Sequence, residues 1–290
     1  MKFLKNPFPA MWRLYRSMPL TVKLGTIWIV AIVFAAIFAD FLPLKDPNYQ
    51  GFIMGESKVN EGPSLKHLLG TDDLSRDLFS RIIYGARVSL TVSFVAVVAG
   101  SAIGGFLGAL VGYTRGKVEA AVMATVDVIL AFPGLVLLLA LVTFMQTRSL
   151  FVISVIVGFL SIPPYTRVAR ANSLSISRRE FVLAARAIGT PRRTVLFREV
   201  IPNVLPSIMA YALVAAAGVI VLEGSLAFLG LSVQPPTPTW GGMINQARKD
   251  IKLTLFPVLV PSGAMVFTVL ALNTVGDWVR KRGQVRGAAL

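Results

Sequence analysis

The sequence predicts an all-α polytopic membrane protein with six transmembrane helices and both termini on the cytoplasmic side. Three observations predict it. Apolar residues make up 55% of the 290 residues, charged residues only 15%, and mean hydropathy is +0.70, whereas a soluble domain is about 45–50% apolar and about 25% charged. Six apolar stretches, near 22–42, 87–111, 120–144, 151–171, 206–229 and 254–276, each approach the roughly 20 residues that about 30 Å of hydrocarbon requires. Finally, the net charge of +15, from 29 Lys+Arg against 14 Asp+Glu, is unevenly spread. With the N-terminus inside, the inner segments 2–23, 112–119, 165–203 and 277–290 hold 19 basic residues and the outer segments hold 9, with Arg87 at a helix mouth. That asymmetry obeys the positive-inside rule, and the reverse orientation breaks it.

Taken in order, the first span reads as a retained helix, because it is too long for a cleaved signal and lacks a small-residue cleavage site. In the outer segment that follows, Thr71 or Asp72 is expected to cap a short helix through Tyr84, and His67 reads as a surface residue. The second span carries Gly100, Gly104, Gly108 and Gly112, one face of a helix that lets a neighbour approach closely. This ridge serves packing within the chain, or close packing between helices that must also slide. Asp127 lies in the third span and Glu223 toward the outer end of the fifth. Each is either a structural hydrogen-bonded group or a lining of a polar path, and their different depths exclude a catalytic pair. Pro133 falls in mid-span and Pro163-Pro164 is expected to interrupt the fourth span. Trp12 and Trp278 suit the inner interface. In the outer loop 231–253 the Pro-rich run 235–238 reads as stiff, and Trp240 as an exposed aromatic that could touch an external protein.

The composition excludes several activities. There is no cysteine and a single histidine, so thiolate chemistry, a disulfide framework and a multi-His metal site are out. No G-x-S-x-G elbow and no phosphate-binding G-x-x-x-x-G-K-[ST] loop is present. Corresponding halves, the mark of inverted-repeat transporters, are not evident. A nucleic-acid binder would carry far more charge.

The inner loop 172–203 is the most informative segment. Ser177-x-x-Glu180 has the form of a capping box. Phe181, Ala184, Ala185 and Ile188 recur at helical spacing, Gly189 suits a left-handed stop, and Thr190-Pro191 suits the start of a second short helix that ends before Pro202. This helix–glycine–helix unit, with six basic and two acidic residues, is a DNA-binding shape, an inert basic loop or a docking element. Attachment to spans at both ends disfavours the first.

Leu183-Ala184-Ala185-Arg186-Ala187-Ile188-Gly189, followed by Val200-Ile201-Pro202-Asn203, resembles the EAA loop of ABC importer permeases, with Leu183 where that motif has glutamate and Glu180 one turn earlier. The segments 67–77 and 84–90, Asp127 to Pro133, Glu223 to Gly242 and Asn273 to Asp277 are similar, in order, to parts of dipeptide, oligopeptide and nickel permeases of the C type. The resemblance implies a type I permease fold, with residues 1–85 holding the first span and long outer segment, 86–277 the permease domain and 278–290 a tail. It implies ATPase coupling through Glu180, Leu183, Ala184, Ala185, Arg186, Gly189 and Pro202. It also implies a homologous second permease subunit, two ATPase subunits that hold ATP and Mg, and an external substrate-binding protein for short peptides. This chain itself would bind no cofactor and no nucleic acid. The rival reading is an ion-coupled secondary transporter that uses Asp127 and Glu223.

Overall fold

A computed structural model describes residues 17–288, with side chains described through Arg282. The expected inner segment up to residue 16, with Trp12, and residues 289 and 290 of the tail lie outside these limits. The described chain is helical: α1 (Leu20–Ile37), α2 (Leu78–Ala99), α3 (Gly105–Thr114), α4 (Lys117–Ala131), α5 (Gly134–Met145), α6 (Leu150–Ile176), α7 (Glu180–Ala187), α8 (Arg192–Val195), α9 (Ile201–Phe228), α10 (Trp240–Ala247) and α11 (Phe256–Ala288). A π-helical stretch, Gly100–Gly104, joins α2 to α3, and another, Leu196–Val200, joins α8 to α9. Five helical runs are long and apolar enough to cross a membrane, and the α4–α5 pair, bent by 86°, supplies a sixth.

Several boundaries differ from the sequence expectation, each for a local reason. The second span begins at Leu78, nine residues early, because polar residues of its first turns are buried by protein rather than placed in solvent. The cap is Asp77, whose carboxylate accepts from the Ser80 backbone N–H at 2.8 Å. Thr71 instead donates its hydroxyl to the Lys58 carbonyl, and Asp72 is committed to Arg76. Pro133 breaks the third span more sharply than a kink: Phe132 before it is extended, as a residue preceding proline prefers to be, and α5 restarts at Gly134. Pro163 and Pro164, by contrast, sit inside an unbroken α6. Ser161 and Thr166 fold their hydroxyls back onto the Val157 and Ile162 carbonyls there, and a packed neighbourhood tolerates the missing amide bonds. Pro202 does not end a helix either. It occupies the first turn of α9, within a continuous helical run from Arg192 to Phe228.

Three apolar clusters hold the spans together. One joins α1, α2, α9, α10 and α11 around Trp240, Leu78, Ile82 and Ile220. A second joins α2, α5, α6 and α9 through Val92, Leu138, Ile153 and Leu226. The third, at the end of the bundle that carries the 177–200 loop, joins Tyr113, Tyr165 and Ala169 to Val182, Val195, Leu196 and Val200 of that loop.

The opposite end is closed by segment 38–77 and the loop around α10, knitted by charge. Asp72 meets Arg76 at 2.7 Å and Arg81 at 3.4 Å, and Arg76 reaches Gln246 at 3.0 Å. Lys249 contacts Asp73 at 2.7 Å, and this hydrogen bond raises the Lys249 ammonium above its ordinary pKa. His67, expected on the surface, is 4% exposed and lies 2.9 Å from Asp77. Trp240, expected to be exposed, is fully buried, its Nε1 donating to the Ile82 carbonyl at 3.1 Å. A single aromatic in a loop can equally well anchor that loop to the helix beneath it, and here Gly85 leaves room for the ring.

Candidate functional site

The 177–200 loop is built differently from the capping-box reading. Ser177 closes α6, its backbone N–H bonded to Ser173, and the N-cap of α7 is Arg179. Helix α7 then runs from Glu180 to Ala187, and Gly189 turns the chain with φ of +83°. The expected N-cap at Thr190 shifts by one residue, to Pro191. The helix has two unlike faces. Val182 is fully buried in the cluster beneath, and Ala185 is partly buried against it. Phe181, Leu183 and Ile188 are exposed by 43%, 50% and 83%, with Glu180 and Ala184 beside them. Arg186 lies over the Tyr113 ring at 4.7 Å and so ties α7 to the end of α3. Pro202 is exposed at the start of α9. The loop thus offers a small, apolar, outward surface on a base welded to α3, α6 and α9.

Two ion pairs link α4 to α6. Arg167 Nη2 lies 2.6 Å from Asp127 Oδ1, and both side chains are about half exposed. Arg170 touches Glu119 Oε1 through Nε at 2.6 Å and Nη2 at 2.5 Å, with the carboxylate mostly buried. The charge count places both arginines in the inner segment 165–203, which overlaps the end of the expected span 151–171; both lie well inside α6, which continues to Ile176. The signal that could have found them is their i, i+3 spacing beside a span that carries its own carboxylates.

Glu223 is enclosed. Its Oε2 accepts from Ser89 and its Oε1 from Ser232, each at 2.9 Å, and the side chain is fully buried. It joins α2, α9 and the loop after α9, far in sequence from Asp127 and bonded to different partners. The glycine ridge lies on α6. A Cβ at Gly104 or Gly108 would collide with the Ile162 or Thr166 carbonyl oxygen, and one at Gly112 would stand 2.7 Å from the Arg170 oxygen. The ring of Tyr165 fills the space beside Gly100. This is packing within the chain.

Residues 100–282 match the family described as binding-protein-dependent transport system inner membrane component. The chain belongs to this family. The glutathione transport system permease protein GsiD of Pectobacterium atrosepticum is similar, 36% identical over 280 residues that cover 96% of this chain and 91% of that protein. GsiD of Escherichia coli O157:H7 is 36% identical over 277 residues, covering 95% and 89%. The protein is therefore a permease subunit of an ABC importer, an inner-membrane component with the type I permease fold.

The enclosure of Glu223 makes a direct test of the ion-coupled rival. In the permease, Glu223→Gln preserves the shape and an acceptor for one serine, and uptake by the complete transporter is expected to stay within about threefold of the natural protein. Glu223→Leu strands the Ser89 and Ser232 hydroxyls and is expected to cost on the order of 1–3 kcal/mol in stability, read as a lower unfolding temperature in detergent. A coupling carboxylate would instead lose uptake completely with glutamine.

Proposed function

We propose that this permease is the C-type transmembrane subunit of an ATP-driven importer for short peptides, a class that includes the tripeptide glutathione named in its relatives. Its N-terminus lies on the cytoplasmic side. A homologous second permease supplies the other wall of the path, an external binding protein delivers the substrate, and two ATPase subunits, holding ATP and Mg, dock on the 177–200 loops. The observation that carries the coupling role is the two-faced α7. Its exposed residues Phe181, Leu183 and Ile188 await a cover, whereas Val182, Val195 and Val200 fix it to the spans. A push on α7 therefore reaches α3, α6 and α9 as a unit, because packed interiors transmit displacement rather than absorb it. Leu183 in place of the family's glutamate makes this contact apolar, and the neighbouring Glu180 supplies the carboxylate.

The test is purification of the complete transporter and reconstitution in vesicles. Uptake of dialanine or glutathione is expected to require ATP, the ATPases and the binding protein. Uptake by this chain alone, driven by an ion gradient, would overturn the proposal. A second measurement concerns Gly189. Nothing lies within 4 Å of a Cβ there, so only the positive φ resists a side chain. Gly189→Asn, which tolerates that conformation, is expected to keep most ATP-driven uptake. Gly189→Val, which does not, is expected to lower uptake at least tenfold while the spans still insert. Equal uptake by the two variants would count against a docking role for this turn.

A further inference from the structure

Ion pairs at the surface of membrane-spanning helices need a reason. A charged side chain in hydrocarbon costs at least about 2.5–3.5 kcal/mol, yet the Asp127 and Arg167 side chains are 57% and 51% exposed within this chain. Arg167 stands nine residues before Ile176, the end of α6, roughly 14 Å along the axis at about 1.5 Å per residue. The outward stripe of α6 changes character along its length. Phe151, Val155 and Phe159 are exposed at one end, and Arg167, Ala171 and Ser175 follow at four-residue spacing toward the loop. Helix α4 beside it buries only Val126, leaving Asp127 as well as Val118 and Val128 exposed. The polar stretch of this face, opening toward the 177–200 loop, suits water rather than lipid.

The two ion pairs on this face are unlike. Glu119–Arg170 has two nitrogen contacts to one oxygen and a carboxylate only 15% exposed, and it braces α4 against α6. Asp127–Arg167 has a single contact and twin exposed partners, so each group can exchange its partner without stranding a buried charge. We propose that Asp127 and Arg167 line the translocation path and form an exchangeable charge clamp for a substrate that carries both a free ammonium and a free carboxylate. Asp127 takes the ammonium and Arg167 the carboxylate as the pair opens, and the pair recloses after release, keeping the empty path neutral. Because α6 leads directly into α7, the geometry of the clamp changes with the loop. This inference rests on the peptide reading above.

Two measurements on the complete transporter test it. The chain has no natural cysteine, so single cysteines report directly. Ala171→Cys, which keeps both charges and lies one turn from Arg167, is expected to react with an anionic, membrane-impermeant methanethiosulfonate, at different rates in the nucleotide-free and vanadate-trapped states. Absence of labelling in both states would place this face in lipid or in a sealed interface and overturn the proposal. The second measurement compares uptake of dialanine with that of its C-terminal amide and its N-acetyl form. The binding protein is common to all variants, so its preference cancels. Arg167→Gln is expected to lower the acid-to-amide ratio at least fivefold, and Asp127→Asn to lower the ratio of free to acetylated peptide similarly. A merely structural pair would reduce all substrates equally and leave the ratios unchanged, which overturns the clamp. If the natural transporter takes up neither dialanine nor glutathione, the peptide reading fails and the clamp with it, while the labelling still decides whether this face meets water.

Discussion

Replacing Asp72 with alanine is expected to detach segment 38–77 from the spans and to remove most of the folded permease from the membrane. Asp72 is 6% exposed and accepts hydrogen bonds from the backbone N–H groups of Leu74 and Arg76 at 2.9 Å each and from Arg76 Nε at 2.7 Å, with Arg81 Nε in ion-pair contact at 3.4 Å. Arg76 and Arg81 are themselves 3% and 2% exposed. Arg76 keeps Gln246 and the longer contact to Asp73, and Arg81 keeps the Pro47 carbonyl, but two buried cations would then share too little negative charge. Breaking one partner of a buried charge cluster costs about 3–5 kcal/mol, a large part of the roughly 5–15 kcal/mol that a folded domain has in reserve. Asp72→Asn keeps an oxygen for the two backbone N–H groups but loses the charge and turns an amide NH2 toward the Arg76 and Arg81 guanidinium groups. The expected order of unfolding temperature, measured on the detergent-solubilised protein, is natural, then Asp72→Asn, then Asp72→Ala. Equal values for the two variants would mean that the backbone bonds contribute nothing and the lost charge everything.

This cluster also shows where sequence reading stops. The six spans were legible because hydrocarbon selects on composition, and composition is local. Their ends were not, because Arg81, Arg167 and Arg170 are polar residues inside helices, matched by carboxylates elsewhere in the chain. The nearest of those carboxylates in sequence are nine residues from Arg81 and 40 from Arg167. The glycine ridge was legible because its period states its purpose, though the choice between fixed packing and sliding needed the carbonyls of α6. In the 177–200 loop the helix–glycine–helix order and its exposed apolar face could be read directly. The cap could not, because Ser177 serves the end of α6 instead of the start of α7. His67 and Trp240 were misplaced for one reason: the outer segments are a folded layer with its own buried side chains, and no periodic pattern marks such a layer before its partners are known.

The ridge carries the second large effect. Gly108→Leu is expected to separate α3 from α6 and to lower the yield of folded permease at least tenfold. A Cβ alone at this position would meet the Thr166 carbonyl oxygen, with Ala169 Cβ at 2.7 Å and the Arg170 nitrogen at 2.9 Å. These are main-chain atoms and a methyl group fixed to the backbone, so no rotamer change relieves them. Overpacking that side chains can absorb costs about 1–3 kcal/mol; here the helices themselves must part. Parting them would also pull Ser173 from the Ala109 carbonyl, a 2.8 Å bond across the same seam, and would disturb Tyr165 and Ala169, which share a cluster with the buried side of the loop. The effect should therefore be graded and local. Gly108→Ala, which adds only the Cβ, is expected to lower the unfolding temperature clearly but less than leucine does. Gly263→Ala makes the same chemical change in α11, where nothing lies within 4 Å, and is expected to leave the unfolding temperature unchanged or slightly higher, since alanine favours the helix over glycine by about 1 kcal/mol. If Gly108→Ala and Gly263→Ala behaved alike, the ridge would not be the seam that holds α3 to α6, and the rigid route from α7 to the span would lose one of its walls.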